Sequence, residues 1–213
     1  MKEKLIIVVL LTIAILGKSQ TAADLFNPSD IEISWLGVDF SHVKLIGEFS
    51  QFSGAGEQSN IQIRDKYFVA WNKLILAEPD KYDIKEMLRI DTIIYDLDML
   101  MEVNSATKLE DMESYNNPNF TENDIKNFIS TYNTDDKVGI GIMFLAESLN
   151  KNEKVAYFHF IALSMKTKEL LIHERLRGKP KGFGFRNYWA GSINRVIKEI
   201  KNERYEDWVR EFN

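Results

Sequence analysis

The chain contains no cysteine. Disulfides, thiol catalysis and thiolate metal sites are therefore excluded. It has three histidines, and none stands in a His-x-x-x-His or His-Glu-x-x-His pair that would set two metal ligands on one helix face. It also lacks a Gly-x-Ser-x-Gly nucleophile elbow, an EF-hand spacing and the Gly-Lys-Ser/Thr of a phosphate loop. No metal and no cofactor is expected. Positive charge is in deficit, with 27 Lys and Arg against 32 Asp and Glu and a formal net charge of −5. Such a chain lacks the broad basic footprint by which proteins hold nucleic acid or anionic lipid, so no nucleic-acid partner is expected. No repeat, low-complexity tract or linker divides it, and after the first residues no apolar run could span a bilayer.

What is present begins with a leader. Lys2 and Lys4 precede an apolar run over 5–16, broken only by Thr12, and Gly17 and Ser19 supply small residues before Gln20. The pattern is that of a secretory signal peptide cleaved near Ser19/Gln20. The run is about 12 residues, short of the roughly 20 that a membrane anchor needs. Removing Lys2, Glu3, Lys4 and Lys18 takes the net charge from −5 to −7. The expected location is periplasmic or extracellular, and the absence of cysteine fits a bacterial envelope better than a eukaryotic secreted domain.

The remaining chain, 20–213, reads as one domain. A first long strand is expected over 31–46, with Gly37 marking a bulge or a close backbone approach. A loop rich in Gly, Ser and Phe follows to Ser59. Ile63, Tyr67, Ala70, Trp71 and Leu74 recur at steps of three and four, which predicts a helix over 61–77 that Pro79 stops. Strict alternation from Ile93 to Val103 predicts a strand over 92–103, with Asp96, Asp98 and Glu102 sharing one face. Thr121 with Asp124 predicts a helix start. Strands are expected over 138–149, 155–165 and 169–177, joined by short turns as a meander. A Gly-rich loop and a closing amphipathic helix from Asn187 end the chain, with Gly191 allowing close packing. The order β-α-β-α-β-β-β-α predicts an α/β protein of mixed type: a single mixed sheet of about five strands packed against helices.

The run Ala156-Tyr-Phe-His-Phe-Ile-Ala-Leu-Ser-Met, followed by the turn Lys166-Thr-Lys and Glu169-Leu-Leu-Ile-His173, resembles a strand pair of bacterial envelope domains. It is similar to pairs in TolB N-terminal-like domains and in the curli-secretion lipoprotein and its relatives. The resemblance implies a small exported envelope protein with this kind of α/β domain. Two features depart from it. No lipid-anchoring cysteine is present, and the first strand reads Trp35-Leu-Gly-Val-Asp-Phe40 instead of an apolar run ending in proline and phenylalanine. A shared fold does not transfer a function.

Candidate sites are few. Asp39 and His42 could pair as a carboxylate orienting a base, although three residues apart on a strand they would face opposite ways. Asp96, Asp98 and Glu102 could hold a hard cation or simply form the wet side of a strand. His159 could ligate metal with His42 or His173, or be a satisfied core histidine. The loop before the last helix carries Lys179, Lys181, Phe183, Phe185, Arg186 and Tyr188, a mixture of bases and aromatics suited to a carboxylate, a glycan or a partner strand. Its bland alternative is aromatics capping the core beside solvated bases. Two function classes follow. One is an exported, non-enzymatic binding or assembly module of the cell envelope, with a protein or glycan partner. The other is a hydrolase of an envelope or extracellular substrate using Asp39 and His42, with either His173 or Arg186. Whether the loops at 49–56 and 182–186 meet bears on where a site would lie.

Overall fold

The computed structural model describes residues 19–28, 31–49 and 58–212. All but the end of the expected leader, and the 50–57 part of the first Gly-rich loop, lie outside the described residues.

The sheet is organised around β5, Ile140–Asn150. β1 (Ile33–Asp39) and β2 (Lys44–Ile46) lie end to end along one edge of β5 and parallel to it, Asp39 opposite Leu145 and Lys44 opposite Ser148. The strand expected over 31–46 is thus one ribbon with an excursion at 40–43. β3 (Ile94–Tyr95) extends the sheet beside β1, and β4 (Glu113–Ser114) extends it beside β2, both parallel. On the other edge of β5, β6 (Val155–Ser164) and β7 (Leu170–Gly178) form the expected antiparallel meander. The seven strands therefore fill five ribbons of one mixed sheet.

Helices cover both faces. α1 is Ala22–Phe26. α2 (Asn60–Gln62) runs through a π-helical segment, Ile63–Phe68, into α3 (Val69–Ala77), which makes the helix expected over 61–77. α4 is Ile84–Leu88, α5 Asp98–Ser105 and α6 Glu122–Ser130. α7 (Gly184–Glu199) continues through a π segment, Ile200–Arg204, into α8 (Tyr205–Phe212). Alternation along the strands sends Trp35, Ile142, Phe144, Phe158 and Phe160 into a large core with Trp71 of α3 and with α7 and α8. Leu36, Met143, Leu145, Ile161 and Leu163 point to the opposite face, where they meet Leu100 of α5 and Ile125 and Ile129 of α6.

β1 shows why its ribbon breaks. Its register against β5 shifts between Trp35 and Gly37, the bulge that Gly37 suggests. Gly37 holds a φ of +107°, and a Cβ there would collide with the Asn72 side-chain oxygen. That oxygen accepts from the Val38 amide at 2.7 Å, while Asn72 Nδ2 donates to the Val38 carbonyl at 3.0 Å. Asn104 does the same one step on, accepting from Phe40 N at 2.6 Å and donating to the Val38 carbonyl at 2.9 Å. Two buried asparagines from helices thus pair the open edge of β1 where no strand does, which satisfies backbone groups that burial would otherwise leave costly.

The strand expected over 92–103 does not form. Only Ile94–Tyr95 is strand, and Asp98–Ser105 is α5. Met99, Leu100 and Asn104 are its buried positions, spaced for a helix, and Leu, Met and Glu favour helix over strand. The alternating apolar pattern came from residues that also satisfy a 3.6-residue period. The helix start at Thr121 does form: its hydroxyl accepts from Asp124 N at 3.2 Å, and Asp124 returns the bond to Thr121 N at 2.8 Å, a capping box.

Candidate functional site

Past Gly178 the chain folds back over α7 before entering it. Lys181 N donates to the Tyr188 carbonyl at 3.1 Å. A Cβ on Gly191 would collide with the Lys181 carbonyl oxygen. The close approach expected at Gly191 is thus to this loop and not to the sheet. Proline at 180 is buried, whereas Lys179 and Lys181 on either side of it are exposed.

These two lysines line a groove of about 1280 Å³. Lys154 enters it from the β5–β6 turn, Arg177 from the end of β7, Arg195 and Lys198 from α7, and Lys81 from the turn before α4. Glu153, Glu199 and Glu203 are the acidic members, so the groove carries a surplus of four positive charges in a chain whose net charge is −5. Lys81 is paired with Glu78 at 3.0 Å and lies over the Tyr82 ring. Glu199 faces Arg204 at 3.4 Å. Lys154, Arg177, Lys179, Lys181, Arg195 and Lys198 make no ion pair among the described residues. The first turn of α7 contains no acidic residue and its N-cap, Phe183, makes no side-chain bond. The helix dipole therefore adds to the positive potential at this end.

The loop residues singled out from the sequence divide. Lys179 and Lys181 line the groove. Phe183, next to the groove-lining Gly182, is 84% exposed. Phe185 is not available to a ligand: it is 1% exposed and packs against Tyr67 at 4.5 Å and Trp71 at 5.9 Å between ring centroids. Arg186 is exposed, and its carbonyl accepts the Trp71 indole N–H at 2.8 Å. Tyr188 is half-buried with its ring edge-on to Trp189, and burial raises its hydroxyl above the usual range. Of the 49–56 loop only Phe49 is among the described residues, and it stacks on Trp189 at 5.6 Å and lies edge-on to Phe185 at 6.0 Å.

A second polar cluster occupies the other face of the sheet. The β5 register shifts between Ala146 and Ser148, and Glu147 is the extra residue. Its carboxylate is fully buried and takes both Nε and Nη2 of Arg175 at 2.7 Å. His159, also fully buried, approaches Glu147 through Nε2 at 3.0 Å and His173 through Nδ1 at 2.7 Å. An ionised carboxylate only accepts, so His159 carries its hydrogen on Nε2. In the neutral pair His173 Nε2–H then donates to His159 Nδ1. Burial alone would raise the Glu147 carboxyl, but the bonds from Arg175 and His159 prevail and hold it at about 2. Burial, with His159 beside it, pushes His173 down to about 4 against the opposing pull of Glu122. His159 is therefore a satisfied core histidine.

Asp39 and His42 both lie towards this face, because the chain leaves the strand after Asp39. They do not bond each other. Asp39 is fully buried, accepts from the Tyr132 hydroxyl and takes Ser41 N at 2.7 Å. Burial, followed by the Asp39 charge, raises the Tyr132 hydroxyl well above its usual range. His42 stacks on Phe128 at 3.6 Å, and burial lowers its pKa, opposed by Asp39 and helped by Lys44. The three-carboxylate face does not exist: Asp96 pairs with Lys137, while Asp98 and Glu102 belong to α5. No group of three His, Cys, Asp or Glu that could hold a metal ion occurs among the described residues.

Sequence reading missed Lys154, Arg195 and Lys198 in the groove. Arg195 and Lys198, three apart on an amphipathic helix, offered a signal; Lys154 offered none. No protein-family model matches the chain, and neither does any curated protein or solved structure.

Proposed function

We propose that the protein is an exported, non-enzymatic binding module of the bacterial cell envelope, and that it takes an anionic partner, a protein or glycan of the envelope, in the groove between the end of β7 and α7. The observation that carries this reading is the gathering of six exposed, unpaired cations in one groove of an acidic chain. Natural surfaces intersperse charges of both signs, and a cleft with a surplus of positive charge focuses field towards an anionic ligand. The leader over residues 1–19 and the resemblance of the β6–β7 pair to envelope domains support the location. The hydrolase reading gains nothing from Asp39, whose oxygens are committed to Tyr132 and Ser41.

The test is retention of the full chain on isolated envelope material. The wild type is expected to be retained at low salt and released as salt rises. A Lys179→Glu/Lys181→Glu/Arg195→Glu variant is expected to pass through. Equal retention of the two proteins would overturn the reading.

A further inference from the structure

The geometry points to an anionic polysaccharide as the ligand of the groove, an inference that rests on the envelope-binding reading. The cations do not converge on a point as they would around one phosphate or carboxylate. They come from separate segments: Lys179 and Lys181 lie beside one turn of α7, where Gly178 meets Ser192 and Lys181 meets Gly191, and the cations of α7 run on from there, with Glu199 and Glu203 also on the wall. Ala156 pairs with Gly178, so Lys154 comes level with the chain just beyond β7, beside Lys179. Lys181 lies on α7 at Gly191. From there Arg195 and Lys198 follow at four and seven residues along the same helical stripe, a further run of roughly 10 Å at 1.5 Å per residue. A chain with repeated negative charges fits such a track; a lone anion would use a fraction of it.

The rim supplies the second element. Phe183 is 84% exposed between Gly182 and Gly184, which hold φ of +140° and +76°. A phenyl ring in water beside a cationic track covers the apolar C–H face of a sugar ring, while the bases take its acidic groups. A lipid bilayer fits less well, because its surface is flat and these cations line a concavity. Duplex nucleic acid fits less well too. It carries one charge per ~1.7 Å, and such density is repelled by the acidic remainder of a chain with net charge −5.

The probe is polygalacturonate, a sugar chain bearing one carboxylate per ring. Galacturonate monomer, neutral dextran and sugar-free polyphosphate are the comparisons, each titrated calorimetrically into the full chain. Polygalacturonate is expected to bind, and to weaken at least tenfold between 50 and 200 mM salt as counterions compete; monomer and dextran are expected not to bind. Arg195→Glu/Lys198→Glu should lower polygalacturonate affinity at least tenfold. Phe183→Ser should lower it several-fold while leaving polyphosphate affinity unchanged, since polyphosphate has no ring to stack. Both variants alter exposed side chains, and far-UV circular dichroism checks that they fold. Monomer binding as tightly as polymer, or Phe183→Ser leaving polygalacturonate unaffected, would sink the polysaccharide assignment. Envelope retention that persists without polygalacturonate binding overturns this inference alone; loss of both overturns the envelope reading as well.

Discussion

The histidine pair makes stability depend on pH between the folded and the ordinary pKa of His173. His173 titrates at about 4 in the folded chain, against an ordinary value of 6.5. Between these values the unfolded chain binds a proton that the folded chain refuses. Stability is therefore intact above pH 6.5 and declines as pH falls towards 4. From pH 7.5 to 4.5 the decline due to His173 is roughly 2–3 kcal/mol, at about 1.4 kcal/mol per unit of pKa. The physical cause is a contact that tolerates only one hydrogen. His159 Nδ1 and His173 Nε2 are 2.7 Å apart, and a proton on each would set two N–H groups head to head. A His173→Gln variant keeps a neutral amide donor for His159 Nδ1 and has nothing to titrate. Urea unfolding followed by fluorescence of the buried Trp35, Trp71, Trp189 and Trp208 reads the stability at each pH. The wild type should lose roughly 2–3 kcal/mol more than His173→Gln across that range. His42, whose pKa is also lowered, acts equally in both proteins and cancels. Glu147 falls outside the window, because its stabilisation is full above its ordinary value of 4.5 and is lost only as pH drops towards about 2. Parallel curves for the two proteins would refute the reasoning.

Arg175→Met strips both guanidinium bonds from a fully buried carboxylate. It should cost about 3–5 kcal/mol, and adding Glu147→Met should recover only part of it, because that change leaves the buried His159 Nε2–H without its acceptor, as chemical denaturation at pH 7.5 will show. Asn72→Ala removes the partner of the Val38 amide, while the Val38 carbonyl keeps its bond from Asn104. A loss of about 1–3 kcal/mol is expected for the amide left bare, with faster exchange at Val38 as the local readout. Gly191→Ala pushes a methyl into the Lys181 carbonyl; thermal unfolding should register about 1–3 kcal/mol of overpacking, and polygalacturonate affinity should fall because Lys181 is displaced from the groove.

Legibility in the sequence followed the range of the interactions. The helix start at Thr121 was readable because its partner, Asp124, is three residues away. β5 and β6 were readable because strands buried on both faces must be apolar throughout, and β7 because apolar and charged residues alternate along it. The π segment within the helix beginning at Asn60 left no sign in a pattern of three- and four-residue steps. The stretch from Ile93 to Val103 misled because alternating and helical periods overlap in so short a window, and packing of Leu100 against Leu36 and Met143 decided between them.

By itself the sequence determined the class of fold, the bulge at Gly37, the meander and the lysines of the last loop. These follow from local backbone preference and from the need to bury apolar runs. Only the tertiary structure decided that Phe185 belongs to the core while Phe183 faces water, because the two alternate around one glycine at the mouth of a helix. It also decided that His159 is held between Glu147 and His173, through a bulge and two strand registers. The net charge of −5 concealed the groove altogether: a sum over residues carries no positions, and Lys154 joins Lys179 in the groove only when β6 pairs with β7.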